Sequence, residues 1–293
     1  MKLQGIFVAA ATPFDHEGAI YRVKVQHNFD KWSRTSVTGF IVGSLTGEGP
    51  LLEPSEKIDL LHLAKPMVGE RALIADVSAE GVHVAAKQAR ESAAAGAEAV
   101  VSLVPHQYRN MMYGREAQML YFRALADQSP VPVLIQNAPQ MTGVDVDAET
   151  IAALAEHPNI AGAIETGTPV SRIARIRELA GKNFPLLAGT EPQVWDSLKA
   201  GANGAAVAFA SAAPYAMIAI WEAFRTREEE AGLDWQERIT RPSMLVTDLY
   251  GVAGLKHAMD LNGYYGGLPR MPFLPVSTEA KREIEEAFEN LRG

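Results

Sequence analysis

A chain of 293 residues can bury one large core, and α/β barrels commonly reach this size as a single unit. Its 47% hydrophobic and 21% charged residues are ordinary for a globular protein; no apolar run spans a bilayer, and no signal-peptide core follows Lys2. The formal net charge of −8 argues against nucleic acid and the absence of cysteine excludes disulfide and thiolate chemistry, so a cytoplasmic protein without membrane or nucleic-acid partners is expected.

Short apolar runs, β-branched or alanine-rich, recur with helical stretches between them. They predict strands at Gly5–Thr12, Phe40–Gly43, Ala72–Val77, Ala99–Val104, Val131–Asn137, Ile160–Thr166, Pro185–Ala188 and Gly204–Ala210. Eight strands with a helix-sized gap after each are what a (β/α)8 barrel needs. Pro54-Ser55-Glu56-Lys57 opens one helix, with Leu60, Leu61 and Leu63 as its apolar side. Val84–Ala95 should close at Gly96, and Val194–Ala200 at Gly201. Beyond Pro214 the strands stop, and Ala216–Ala231, Trp235–Tyr250, Val252–Leu261 and Thr278–Leu291 read as helices. The expectation is an α/β fold: a TIM barrel over residues 1–215, with a C-terminal helical appendage over 216–293 packed on it.

Metal and phosphate motifs are weak. His16, His27, His62, His83, His106, His157 and His257 are scattered without paired ligand spacing, and Gly47-Glu48-Gly49 alone is no phosphate loop. No metal and no cofactor are therefore expected. Trp221 and Trp235 read as core or subunit contacts.

Several segments in matching order resemble one family over nearly the whole chain. Thr12-Pro13-Phe14, the turn Ser44-Leu45-Thr46-Gly47-Glu48, Pro132–Pro139, Ala188-Gly189-Thr190-Glu191 and Gly201-Ala202-Asn203-Gly204 are similar to motifs of the dihydrodipicolinate synthase and N-acetylneuraminate lyase family. Gly162-Ala163-Ile164-Glu165-Thr166-Gly167 resembles the segment that carries that family's Schiff-base lysine, with Ile164 at the lysine's place. The resemblance implies a lyase-type ancestry and a homo-oligomer, tetramer or dimer, acting on a small-molecule ligand. It also places further departures. Gln136 stands where a proton-relaying tyrosine ends strand five, and Met141 where the synthases keep a substrate-orienting arginine. Gln107 stands where the strand-four loop carries a tyrosine, with Tyr108 beside it; Leu45 replaces the first threonine of the strand-two turn.

Strand residues alternate between barrel interior and helix layer, so in the family's register Gln136 and Ile164 point inward near the C-terminal rim, where barrel active sites sit. Isoleucine offers no nucleophile, and glutamine no acid–base function near neutral pH. Candidate ligand contacts are Ser44, Leu45, Thr46, Gln107, Tyr108, Gln136, Met141, Ile164, Thr166, Ala206 and Ser211, with Asn137 nearby. Glu165 is the candidate acid or base, although its position beside the lysine's place reads more simply as structural. Glu48 reads as a turn brace. Lys182, Lys199 and Lys256 are not at strand ends, and no lysine lies between Lys87 and Lys182. Two functions are compatible with these residues. One is a carbon–carbon or carbon–oxygen lyase, or a related elimination, hydration or isomerisation, that forms no imine. The other is a non-catalytic metabolite-binding or regulatory protein on the same scaffold.

Overall fold

The computed structural model describes residues 1–167 and 169–291. In chain order the barrel part runs β1 (Gly5–Ala9), α1 (Arg22–Ser33), β2 (Gly39–Val42), α2 (Pro54–Val68), β3 (Ala72–Asp76), α3 (Val82–Ala94), β4 (Ala99–Leu103), α4 (Arg109–Met112), α5 (Arg115–Gln128), β5 (Val133–Asn137), α6 (Pro139–Thr142), α7 (Ala148–Leu154), β6 (Ile160–Glu165), α8 (Ser171–Ala180), β7 (Leu186–Ala188), α9 (Val194–Lys199) and β8 (Gly204–Val207). All eight strands are parallel, pair in sequence order and close through β1 and β8, with Gly5 opposite Gly204. This is the expected (β/α)8 barrel.

Closure depends on glycine. A methyl group on Gly204 would lie 2.0 Å from the Gly5 carbonyl oxygen, so the seam tolerates no side chain there. The strand faces divide the core in two. Phe7, Ile41, Ala72, Ile74, Ala99, Val101, Leu134, Ile164, Leu187 and Ala206 fill the interior. The alternate residues, among them Val8, Phe40, Leu73, Val100, Ile135 and Ala163, pack against the helices.

The helix signals act as their chemistry suggests. Pro54 occupies the first turn of α2, and Glu53 and Glu56 form a reciprocal cap in which the Glu53 N–H donates to Glu56 Oε2 at 2.9 Å. Gly96 and Gly201 follow α3 and α9 with φ of 99° and 112°, a region costly for any side chain.

Strand ends differ most from expectation. β1 stops at Ala9 and β8 at Val207, because Phe209–Ser211 turn in a single 3-10 loop above the barrel. Past the eighth strand lie α10 (Pro214–Thr226), α11 (Glu229–Met244), α12 (Gly251–Leu261) and α13 (Thr278–Ala287). The single helix expected over 216–231 is two. Arg227 turns left-handed at φ 64°, and the acidic run 228–230 begins α11, where negative charge suits the helix N-terminus. A wide helical turn, Leu245–Leu249, links α11 to α12. α10 packs along β1, with Trp221 beside Gly5, so it takes the eighth helix position of the barrel; the boundary drawn at 215 falls within it. Residues 292 and 293 of the expected appendage lie outside the described residues. The segment after α12 is bound to α1: Tyr264 stacks on Trp32 at 5.6 Å, and Asn28 exchanges two 2.8 Å hydrogen bonds with the Tyr265 backbone.

Candidate functional site

The floor of the barrel mouth is hydrocarbon. Ile164 is 1% exposed, lies in register between Gln136 on β5 and Leu187 on β7, and packs with Leu134, Leu187 and Ala206 in the interior cluster. A methyl on Gly189 would come 3.2 Å from an Ile164 γ-carbon, so the strand-seven backbone closes over that side chain. Gln136 shares the inward parity and is half-buried, and its amide takes no partner among the described residues.

Glu165 has the opposite parity and is buried on the helix side of β6. Its carboxylate accepts from Asn137 Nδ2 at 3.0 and 3.1 Å, from the Gly167 N–H at 2.5 Å and from Arg172 at 3.3 Å. Arg172 also reaches Asp145 at 3.0 Å and the Val146 carbonyl at 3.0 Å. Burial pushes the Glu165 carboxyl above its usual range, and the Arg172 charge chiefly opposes that push. The arrangement ties the end of β6 to α8 and to the loop after β5. Asn137, with Nδ2 on Glu165 and Asp145 and Oδ1 on the Val146 N–H, belongs to the same brace. The Thr166 hydroxyl donates to the Asn137 carbonyl at 2.7 Å.

The strand-two turn is held from beneath. Glu48, left-handed at φ 57° and buried, pairs with the equally buried Lys256 of α12 at 2.5 Å, and also accepts the Arg270 N–H at 2.7 Å. Lys256 donates to the Leu268 carbonyl at 2.9 Å. The Phe14 ring lies 4.4 Å from Lys256 Nζ and 4.4 Å from the Arg270 guanidinium, so two cations meet one aromatic ring. Burial pushes Lys256 below the ordinary lysine range, and the Glu48 charge pulls it back. Lys256 is thus a structural cation. Gly49 is forced by the same turn, since a methyl there would fall 1.8 Å from the Gly43 carbonyl oxygen. Ser44 is buried with its hydroxyl unpartnered among the described residues, and Thr46 is half-buried.

The remaining candidates are scattered. Ser211 is fully buried, its hydroxyl donating to the Ala9 carbonyl at 2.8 Å and accepting the Ala11 N–H at 3.3 Å, which braces the end of β1. Ala206 belongs to the interior floor. Tyr108 and Met141 are 70% and 65% exposed on surface turns.

Leu45 and Gln107 come together in a cleft of about 290 Å³ at the C-terminal ends of β2, β3 and β4. Two residues there escaped sequence reasoning, which sought a lysine at a strand end. Lys57 reaches in from the first turn of α2, its stem lying 3.5 Å from where a Gly43 side chain would begin. Its ammonium makes no hydrogen bond or ion pair among the described residues. Asp76 ends β3 with the inward parity of Ala72 and Ile74, and one carboxyl oxygen accepts the Ser78 N–H at 2.8 Å. Burial raises the Asp76 carboxyl above its usual range, with the Lys57 charge the chief opposing influence. A lone acid closing the apolar run Ala72-Leu73-Ile74-Ala75 is the signal that could have marked the place. Glu80 closes one side of the cleft by accepting the His106 N–H at 3.1 Å and the Gln107 N–H at 3.0 Å. Among the described residues no three potential metal-ligating side chains gather, and no helix is long and apolar enough to cross a membrane.

A raised carboxyl pKa means that ionising Asp76 in the folded state is penalised relative to the unfolded chain. The penalty is absent below the ordinary aspartate pKa, grows as pH rises, and is complete above the raised folded value. Asp76→Asn, which mimics the neutral acid, is therefore expected to raise the melting temperature at pH 8, the gain vanishing near pH 3. Thermal melts across that range check this; a pH-independent difference would contradict the assignment of the burial cost.

The sequence model of the Dihydrodipicolinate synthetase family matches residues 2–291. A 4-hydroxy-tetrahydrodipicolinate synthase from Exiguobacterium sp. is 28% identical, covering 97% of this chain and 97% of the relative. That of Xanthomonas campestris pv. campestris is 30% identical over 94% of this chain and 91% of the relative. Among solved structures, dihydrodipicolinate synthase DapA-2 from Bacillus anthracis superposes with a TM-score of 0.95 at 22% identity, covering 100% of both chains. The synthase from Acinetobacter baumannii, solved with pyruvate, superposes at 0.93 with 20% identity and 99% of both chains covered. With this match across the barrel and the helices beyond it, the chain belongs to the dihydrodipicolinate synthetase family.

Proposed function

We propose that this protein is a lyase-type family member that binds a small carbonyl or carboxylate compound at the barrel rim and forms no Schiff base from strand six. The observation that carries the reading is Ile164, a saturated side chain packed among Leu134, Leu187 and Ala206. Carbon without a lone pair cannot add to a ketone, so chemistry at this rim proceeds through polarisation and proton transfer. Gln136 supplies a hydrogen-bonding amide and no acid, while Met141, exposed on its turn, anchors no carboxylate. The same reading includes carbon–carbon or carbon–oxygen cleavage without an imine and a cytoplasmic setting. It also includes a homo-oligomer, dimer or tetramer, for which the exposed Tyr108, Met111 and Leu120 offer apolar surface.

Incubation with pyruvate and borohydride, followed by intact-mass measurement, tests it. The expected mass is that of the unmodified chain, and a reduced adduct on any lysine would refute the imine-free reading. A second reading, a binder without turnover, is favoured by Glu165, whose carboxylate is already engaged by Asn137, Gly167 and Arg172. Metabolites that raise the melting temperature without being converted support the binder, and product formation defeats it.

A further inference from the structure

We propose that the cleft between the loop after β1, the end of α12 and the start of α13 binds a small aliphatic monoammonium compound. Asp15, Asp260 and the Tyr265 hydroxyl receive the ammonium, and Leu268, Pro275 and Val276 take the carbon chain. The cleft shares none of its lining residues with the barrel mouth, so the site goes beyond the rim-binding reading and does not depend on it.

Four observations carry it. First, there is room: about 250 Å³ lies between Phe14 and Asp15 on one side, His257 and Asp260 on another, and Pro275 and Lys281 on a third. Second, the polar groups around it are open. Asp15 accepts the Glu17 and Ala19 N–H groups, both at 2.9 Å, through Oδ1 alone, so its Oδ2 has no hydrogen-bond partner among the described residues. The hydroxyl of the half-buried Tyr265 likewise makes no hydrogen bond among the described residues. Burial pushes that hydroxyl above its ordinary range, and the Asp260 and Asp15 charges add to the push, so both carboxylates lie near it. Third, Asp260 stands in the last turn of α12, where the helix dipole is itself negative and no basic side chain offsets it. Its Oδ1 accepts the Gly266 N–H at 2.8 Å, yet an acid at this end of a helix costs stability and creates a potential that suits a cation. Fourth, the walls are fixed before anything binds. The Tyr265 ring meets Tyr21 edge-on at 5.4 Å, and Gly267, at φ 69°, passes so close that a methyl group there would come within 2.8 Å of the Tyr265 ring. Size and charge then select the ligand. The volume admits a chain of a few carbons, while Lys24, 5.0 Å over the Tyr265 ring, and Lys281, whose ammonium has no partner among the described residues, disfavour a second positive charge.

Isothermal titration of the intact protein with butylamine, putrescine, butanol and butyrate tests the site in wild type and in Asp15→Asn, Tyr265→Phe and Lys281→Glu, each checked by circular dichroism. Butylamine is expected to bind wild type, putrescine more weakly, and butanol and butyrate not at all. Asp15→Asn, whose amide oxygen can keep the Glu17 and Ala19 bonds, should weaken butylamine binding at least tenfold, and Tyr265→Phe should weaken it severalfold. Lys281→Glu should strengthen butylamine binding and improve that of putrescine. No binding of butylamine to wild type at millimolar concentration, equal affinity in wild type and Asp15→Asn, equal binding of butanol, or weaker binding in Lys281→Glu would each overturn the proposal. The outcome is separate from that of the imine-free reading, which is read from the borohydride adduct alone.

Discussion

Replacing Lys256 by methionine is expected to destabilise the protein by about 3–5 kcal/mol, because it leaves the Glu48 carboxylate buried without its cation. Glu48 and Lys256 are both 0% exposed at their side chains, so no water can take over either charge. The Arg270 N–H, at 2.7 Å from Glu48, offsets only part of the loss. Removing both charges together, as Glu48→Gln with Lys256→Met, is expected to cost much less than Lys256→Met alone, since the desolvation penalty of the pair disappears with it. Urea denaturation of wild type, both single variants and the double variant measures this as a coupling energy. Additive single effects would show that the pair is not the unit holding the strand-two turn. The consequence reaches the rim, because Glu48 fixes the turn that carries Leu45 and Thr46.

Ile164→Lys is expected to do two things at once. Surrounded by Leu134, Leu187 and Ala206, the new ammonium is desolvated and its pKa falls, by up to about 3 units for a group so enclosed. At 1.36 kcal/mol per unit this is about 4 kcal/mol at neutral pH. For a base whose folded pKa is depressed, the cost is complete below the folded value and disappears as pH rises past the ordinary lysine pKa near 10. Stability relative to wild type should therefore recover between pH 7 and pH 10. The neutral amine fraction made available by the same shift places at residue 164 a nucleophile that isoleucine does not offer, so the variant is expected to give a borohydride-trapped adduct with pyruvate. A variant that unfolds less at pH 7 than at pH 10, or that remains unlabelled while folded, would contradict the placement of residue 164 at the rim.

Much of the fold could be read along the chain. All eight strands lie where short apolar runs sit, because a barrel strand is buried on both faces; their two charged residues, Asp76 and Glu165, stand at the last positions of β3 and β6. Pro54 with the Glu53–Glu56 cap, and Gly96 and Gly201 after their helices, are local signals whose chemistry is complete within a turn. Strand ends were less legible: Ala10–Thr12 and Ala208–Ala210 are as apolar as strand residues, yet the rim loops claim them. The break at Arg227 carries no glycine to announce it.

The candidate site divides along the same line. Inward parity for Ile164 and outward parity for Glu165 follow from a period of two and were legible before any contact was known. What the amino-acid order determined by itself is the barrel, its two strand faces and the absence of a lysine on strand six. Only the tertiary structure decided that Ser211 and Asn137 are occupied by the backbone and by Glu165, that Lys256 lies under the turn, and that Lys57 crosses Gly43 to approach Asp76. These depend on how α2, α8 and α12 pack beside strands distant in sequence. No local periodicity encodes the reach of a side chain across a neighbouring element.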